Sequence, residues 1–539
     1  VKYPRLLPLS SALLRVTALP GWWAPWLGPL AVIPRIVYWE IGGDRRGDLM
    51  GGLLFWGLAF SILATTGAFM PFGAACVMGG LWVLEGVFYR RLRRFLKPEF
   101  AAPLSLFSLQ WLVGEFFFGG VPSFTWGLGF ADYPFFLSLA SAVGENGISL
   151  LILLLGGWLW SFSRGWKSIG FLTPLLFLFA FEAGRHQKPE PVASASFAAI
   201  QPNIELGAKT ASGGEVAILK QHEKMLEEAL KEATRPELLF WSETMFLLPA
   251  TFSGKEGEIR IPRRGLPGSP LVYPASAVRD LLKRVAAQVA EPLASGGHLL
   301  VGAHTYEPLS PDTESGVVSP RASSTLAFAK DGGLVGHAEK SELVPFGETL
   351  PFDGAFPAAE GIARWVFDSF GLSPDFVRGE EPQPLHLIRE DHSVMRLGTA
   401  ICWENTFERI FRKQAQAGAQ AFVIFSNEAW YGLGVEMDQM LAATRFRAAE
   451  TGRSVLRATN TGITILLSST GKEIASLPRG QEGVLLGVLP LVDETYRTPY
   501  LIWGWVIGPG VALLALLGGF LAFFRGRPAR KQEGNEALS

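Results

Sequence analysis

The sequence predicts a chain in two parts, a multi-span α-helical membrane region and a layered α/β domain held outside the membrane. Three observations predict it. Apolar segments of near-spanning length recur up to about residue 183 and once more at 501–524. Their connections alternate between strongly basic and free of Lys and Arg. Between them, residues 190–495 carry apolar strand-like runs that alternate with helical periodicity, the pattern of a layered α/β domain.

Composition sets the frame for each part. The 539 residues exceed one ordinary domain, and 49% are hydrophobic against 18% charged, with 39 Phe and 17 Trp. That balance is too apolar for a soluble enzyme of this size. A formal net charge of −1 supplies no global field for nucleic acid, so no nucleic-acid partner is expected. No cleavable signal peptide is expected either, because apolar segments simply continue after the first one. The initial Val is compatible with an alternative start codon or a trimmed chain.

The apolar segments fall near 5–19, 22–40, 49–67, 70–89, 101–119, 136–161, 167–183 and 501–524. Most approach the ~20 residues that a helix needs to cross a bilayer. The first is short and contains Arg15 and Pro8; the second carries Arg35, a charge that needs a partner or an interface. Eight spans are counted, the first two being the weakest. Lys2 and Arg5 precede the first span, and Arg45 and Arg46 follow the second. Arg90, Arg91, Arg93, Arg94 and Lys97 follow the fourth, Arg164 and Lys167 the sixth, and Arg525, Arg527, Arg530 and Lys531 the last. The positive-inside rule then puts every basic loop and both termini in the cytoplasm. Arg185 and Lys188 depart from the pattern, but they open a long domain, where the rule has little force. The expected divisions are a transmembrane part at 1–184, an outer domain at 185–499, a last span at 500–524 and a basic tail at 525–539.

Within the outer domain, SASFAAIQPN, ELLFWSE, HLLVGAHTY, STLAFAKDGGLVGHAEK, SVMRLGTAICWE, AFVIFSNEAW and SVLRATNTGITILLS read as strands. Helical periodicity marks EVAILKQHEKMLEEALKEA and SAVRDLLKRVAAQVAE, with further helices near 406–417 and 437–452.

Of the two cysteines, Cys76 lies in an apolar run and is expected to be a small buried hydrophobe. Cys402 closes a predicted strand in GTAICWENTFE, and strand ends entering loops are where α/β domains commonly place chemistry. A thiol there needs a base or a nearby cation to become a nucleophile. Glu243 ends ELLFWSE and Lys340 ends HAEK, so both could reach the same edge. Taken singly, each is more commonly a solvated surface charge. None of the seven His forms a spaced metal-binding pair, so neither metal nor cofactor is expected.

Taken together, WSE, EKSELVPFGETLPF, ICWEN, SNEAWYG and ATNTGI closely resemble the nitrilase-type carbon–nitrogen hydrolase superfamily. With the flanking apolar segments, the whole chain resembles the apolipoprotein N-acyltransferase family, the last enzymes of bacterial lipoprotein maturation. The resemblance implies a nitrilase-like α-β-β-α sandwich on the periplasmic side of the inner membrane. It implies that Glu243 is the general base, Lys340 the oxyanion-stabilising cation and Cys402 the nucleophile. Glu348 would be a supporting acid and Glu404 a further functional acid, while the backbone N–H of Trp403 is a candidate oxyanion donor. The implied reaction is ping-pong. Cys402 would take an acyl chain from a phospholipid, typically phosphatidylethanolamine, as a thioester, and the N-terminal amine of a diacylglyceryl-cysteine lipoprotein would then accept it as an amide. A monomer is expected. Two other readings use the same residues: a membrane-tethered amidase, in which water resolves the thioester, and a silent scaffold that retains the fold.

Trp365, Phe367 and Phe370 lie in a stretch whose near-helical apolar spacing would suit lipid contact or an ordinary core helix; spacing alone does not separate these. Asn427, Glu428, Trp430 and Asn460 are given supporting roles. Thr210, Trp403 and Met440 depart from the family's usual Trp, Tyr and His, and Phe118 takes an arginine position in a membrane pattern kept at Trp111 and Glu115. Trp403 and Met440 read most simply as core substitutions.

Overall fold

The structure, a computed structural model, describes residues 3–22, 24–61, 69–116, 124–165, 172–185, 188–205, 207–208, 214–231, 233–262, 270–314, 316–345, 347–349, 361, 376–432 and 434–524. Trp365, Phe367, Phe370, Thr210 and Phe118 lie outside these residues.

The helical part comprises α1 (Leu6–Thr17), α2 (Leu27–Glu40), α3 (Arg45–Ala59), α4 (Phe69–Leu92), α5 (Pro98–Phe116), α6 (Pro134–Ser163) and α7 (Leu172–Arg185). Among the described residues, Pro134–Ser163 and Gly504–Ala522 are long and apolar enough to cross a membrane. Helices α1 and α2 have 12 and 14 residues. At ~1.5 Å per residue they fall short of a ~30 Å hydrocarbon core. Arg35 finds the partners its position demanded. Its guanidinium lies 3.0 Å from Glu85 on α4 and 3.9 Å from Asp48 on α3, between the rings of Trp39 and Trp82.

An apolar run did not guarantee burial here. Phe72, Phe116, Phe162 and Phe179 are 67–71% exposed, so the outside of the helical part is itself apolar. Cys76 lies on that outer surface and is exposed, correcting the expectation that it is buried.

The α/β part opens with β1 (Ala193–Gln201), α8 (Gly214–Ala229) and β2 (Leu238–Ala250). A short ribbon, β3 (Glu258–Ile261) with β4 (Leu271–Pro274), precedes α9 (Ala275–Ala290), β5 (His298–Tyr306), β6 (Arg321–Ala329) and β7 (Leu334–Glu339). The second half holds β8 (Leu385–Ile388), β9 (Val394–Ile401), a 3-10 turn at Cys402–Thr406, α10 (Glu408–Gln416), β10 (Ala421–Ser426) and α11 (Glu436–Thr451). It closes with β11 (Val455–Thr459), β12 (Ile465–Leu467), β13 (Glu473–Ser476), β14 (Gly483–Leu491), α12 (Pro499–Ile502) and α13 (Ile507–Phe524).

Two six-stranded sheets form, in the orders β14-β1-β2-β5-β6-β7 and β13-β12-β11-β10-β9-β8. Strand alternation sends Phe197, Phe240 and Leu300 of the first sheet against Leu397, Val423, Phe425 and Leu456 of the second. The opposite faces are covered by α8 and α9 (Ile218, Leu226, Leu282, Val289) and by α10, α11 and α12 (Phe411, Ala448, Tyr500). The result is an α-β-β-α sandwich, as the resemblance implied. SVLRATNTGITILLS, expected as one strand, is two antiparallel strands, because Asn460–Gly462 turns the chain between them.

The two parts meet along α6 and α11. Ala442, Ala443, Phe446 and Ala449 of α11 join the core of the helical part. Gly144 takes φ +70° inside α6 and kinks it. A side chain there would collide with Tyr500 and approach Glu450. The kink frees the Glu145 N–H to donate to Glu450 at 2.7 Å, while Arg447 bonds both Glu145 and Glu450.

Candidate active site

Strands β2, β7, β9, β10 and β11 end on the same side of the sandwich, and the candidate residues gather there. Cys402 follows β9 directly and adopts φ +53°, a left-handed conformation for a residue with a Cβ. Such a geometry costs of order 1–2 kcal/mol and survives only where its surroundings impose it. It turns the chain sharply from strand into the 3-10 turn, with Cys402 8% exposed.

Glu243 lies inside β2 rather than at its end, because the strand continues to Ala250 after an irregularity between Trp241 and Phe246. Thr244, at φ +52°, marks that bulge. Gly302 on β5 permits it, since a Cβ at 302 would stand 2.6 Å from the Glu243 Cα. The Glu243 carboxylate accepts the backbone N–H of Asn427 at 2.9 Å and lies 3.6 Å from Lys340 Nζ.

Lys340 follows β7, its N–H donating to Ser323 O at 2.8 Å so that the edge pairing continues one residue further. Its side chain is 1% exposed, and the ammonium donates to Glu348 Oε1 at 2.8 Å. Burial alone would push such an amine down, yet the carboxylates of Glu348 and Glu243 and the Cys402 group outweigh it, so Lys340 holds its proton well above its usual range. Glu348 takes the Val344 N–H on its other oxygen at 2.9 Å, which folds the VPFGE segment back onto Lys340.

The Cys402 thiol is pushed up by burial and by Glu243, and pulled back by Lys340. At neutral pH it is a thiol that needs its proton taken during attack. A carboxylate and an ammonium in contact beside it can do two things: accept that proton and stabilise negative charge on a reacting carbonyl oxygen.

Glu404 acts as a clamp between two backbone segments. Its carboxylate accepts the N–H of Ile401 at 2.8 Å, the N–H and Oγ–H of Ser341 at 2.7 and 2.8 Å, and the N–H of Glu342 at 3.2 Å. One side chain thereby ties the nucleophile turn to the Lys340 loop. Burial pushes its carboxyl up, and these donors pull it back. Trp403 is half-buried and packs edge-on against Phe407. Met440 is buried in α11, its carbonyl accepting from Asn405 Nδ2 at 2.9 Å, in keeping with a core role.

Asn460 bonds both the N–H and the carbonyl of Ile204 at 2.7 Å and the Asn427 side chain at 2.9 Å, so it braces the loop that holds Glu243. Glu428 is fully buried and pairs with Arg457. Trp430, expected to buttress the site, is 52% exposed. Sequence reasoning missed the bulge at Thr244, the Asn427 N–H as a partner of Glu243, and Gly302. The glycine closing the apolar run HLLVG was the one available signal.

A thiol on a strained strand-to-turn junction, faced by a carboxylate and an ammonium from the opposing sheet of an α-β-β-α sandwich, is an arrangement suited to nucleophilic cysteine chemistry. The chain belongs to the carbon-nitrogen hydrolase family, whose model matches residues 197–496. Among its relatives is an apolipoprotein N-acyltransferase of Caulobacter vibrioides, 28% identical over 90% of this chain and 84% of that one. Another is an apolipoprotein N-acyltransferase of Chlorobaculum tepidum, 25% identical over 92% of this chain and 93% of that one. An amidase from Nesterenkonia sp. is similar in structure with a TM-score of 0.36, at 17% identity over 58% of this chain and 95% of that one.

Proposed function

We propose that this enzyme transfers an acyl chain from a phospholipid to the N-terminal amine of a diacylglyceryl-cysteine lipoprotein, the last step of lipoprotein maturation. The observation that carries the reading is one arrangement: the buried Glu243–Lys340–Cys402 group sits on a domain packed through α11 onto a helical part with an apolar outer surface. Relatives named for this activity align over nine-tenths of the chain, helical part included.

In the first half-reaction Glu243 takes the thiol proton as Sγ attacks the donor ester carbonyl. Lys340 stabilises the oxyanion, a lysophospholipid leaves with the proton, and a thioester remains on Cys402. In the second half-reaction the neutral α-amine attacks the thioester, passes a proton to Glu243, and departs as the amide with the thiol restored. Glu348 keeps Lys340 charged and aimed, and Glu404 keeps the two loops in register. Residues 1–184 and 500–524 embed the protein in the inner membrane as a multi-pass unit, with residues 185–499 on the periplasmic side and both termini cytoplasmic. Phosphatidylethanolamine is the donor, Trp365, Phe367 and Phe370 contact lipid, and the enzyme acts as a monomer.

The test is an intact-mass measurement on purified enzyme incubated with phosphatidylethanolamine vesicles, followed by a diacylated lipopeptide. An acyl-sized increase on Cys402 that disappears as triacylated peptide forms is expected. An adduct lost to water alone would make the protein a hydrolase. No adduct, with lipopeptide acylation untouched in Cys402→Ser, would sink the assignment.

A further inference from the structure

Three side chains far apart in sequence meet at the boundary between the two parts of the molecule. Arg409, in the first turn of α10, donates through Nη1 to Glu115 at 2.9 Å and lies with Nη2 2.6 Å from Glu342. Glu115 is on the last turn of α5, and Glu342 lies two residues after Lys340. All three side chains are mostly buried, between 10% and 23% exposed.

Resting on the acyl-transfer reading above, we infer that Arg409 is a positioning residue that sets the loop carrying Lys340 in register with helix α5 by bridging the Glu342 and Glu115 carboxylates. The stability of α10 does not explain the arginine. A cation in the first turn of a helix faces the positive end of the helix dipole, where an acid is preferred. The forked guanidinium suits the task, since each terminal nitrogen takes one carboxylate, which a lysine's point charge cannot do.

The loop it reaches is already held from inside. Glu404 grips the backbone at Ser341 and Glu342, and Glu348 grips it at Val344. Arg409 adds the outward tie, joining this loop to the helical part. It starts three residues after the nucleophile turn ends, so Cys402, Lys340 and α5 are linked through one side chain. Without it, the mostly buried Glu115 and Glu342 would share no cation, and Glu342 would keep only the exposed Arg378, 3.6 Å away. The cheapest relief is for the Glu342 loop to move, carrying Lys340 away from the thiol. A displaced ammonium stabilises both the thiolate and the oxyanion less well.

The experiment uses the full-length enzyme with phosphatidylethanolamine vesicles. It reads the single-turnover rate constant of Cys402 acylation, which does not depend on how much of the sample is folded, together with the rate of Cys402 alkylation by iodoacetamide. Arg409→Met is expected to slow acylation by about 10–100-fold, the usual scale for lost positioning. Arg409→Lys should regain part of that rate. In Arg409→Met/Glu342→Gln, removing one of the two carboxylates should restore acylation beyond the Arg409→Met level, so the two changes are not additive. A wild-type rate constant in Arg409→Met, or strict additivity with Arg409→Lys no better than Arg409→Met, would overturn the role. Should the wild-type enzyme form no adduct, the acyl-transfer reading fails and alkylation decides Arg409 alone. Alkylation roughly threefold or more slower in Arg409→Met would then support the displacement of Lys340, and an unchanged rate would reject it.

Discussion

Two buried charge clusters, one in each part of the molecule, use the same residue types to different ends. In the helical part, Arg35 sits against Glu85 and Asp48, all at most 1% exposed and enclosed by Trp39 and Trp82. In the α/β part, Lys340 sits against Glu348 and Glu243, with 17% and 9% of those carboxylate side chains exposed and a thiol alongside. The first cluster joins three helices and offers no nucleophile. The second is built on backbone that a relaxed chain avoids, at Cys402 and Thr244, and it leaves Glu243 at 3.6 Å from its cation. Burial of charge therefore does not by itself mark a site. What marks it is charge held beside a reactive atom, with strain imposed by the surrounding sheets.

The sharpest way to break this comparison is Cys402→Ser. Lipopeptide acylation should fall by about 10⁴-fold or more, as when the nucleophile of a cooperating set is lost, while thermal stability stays near wild type. A thermal midpoint that collapses instead would give the active-site cluster a structural role.

Next in size is Arg35→Met, which leaves Glu85 and Asp48 buried without their cation. A loss of about 3–5 kcal/mol is expected, seen as a large drop in thermal midpoint, with the acylation rate constant of the folded fraction unchanged. A selective loss of rate at full stability would erase the distinction between the clusters.

The smallest effects lie in the pH dependence of Cys402 alkylation. Burial and Glu243 raise the thiol pKa and Lys340 lowers it, so the wild-type rate should still be climbing in alkaline solution. Lys340→Met removes the lowering influence, and alkylation at a given pH should slow. Glu243→Gln removes a raising one, and alkylation should quicken even as acyl transfer drops by about 10²–10³-fold for want of a base. Parallel slowing in both variants would mean that the thiol depends on Glu243 for ionisation as well as for proton transfer. Acyl transfer itself should fall in acid, where a protonated Glu243 cannot accept the thiol proton.

Much of this molecule was legible as pattern. Strand and helix periodicity placed β1, α8, α9, β5, β6, β9 and β10, because each has one face that must be buried against another layer. Short elements such as β8, β13 and the β3–β4 ribbon escaped, since four residues are too few for a period to show. Burial in the helical part was misread at Cys76, because an apolar run looks alike whether it faces a protein core or the outside.

What the sequence determined by itself was the order of five candidate groups along the chain, Glu243, Lys340, Glu348, Cys402 and Glu404, each near the end of an apolar run. Only the tertiary structure decided how they act on one another. Glu243 lies at a bulge that Gly302 makes room for, and Glu404 ties the nucleophile turn to the Lys340 loop. Arg409, unremarked as sequence, spans 294 positions to reach Glu115. The reason is physical: periodicity reports which face of an element is buried, whereas charge pairing depends on distances between elements, and those are set only when the sheets and helices close on one another.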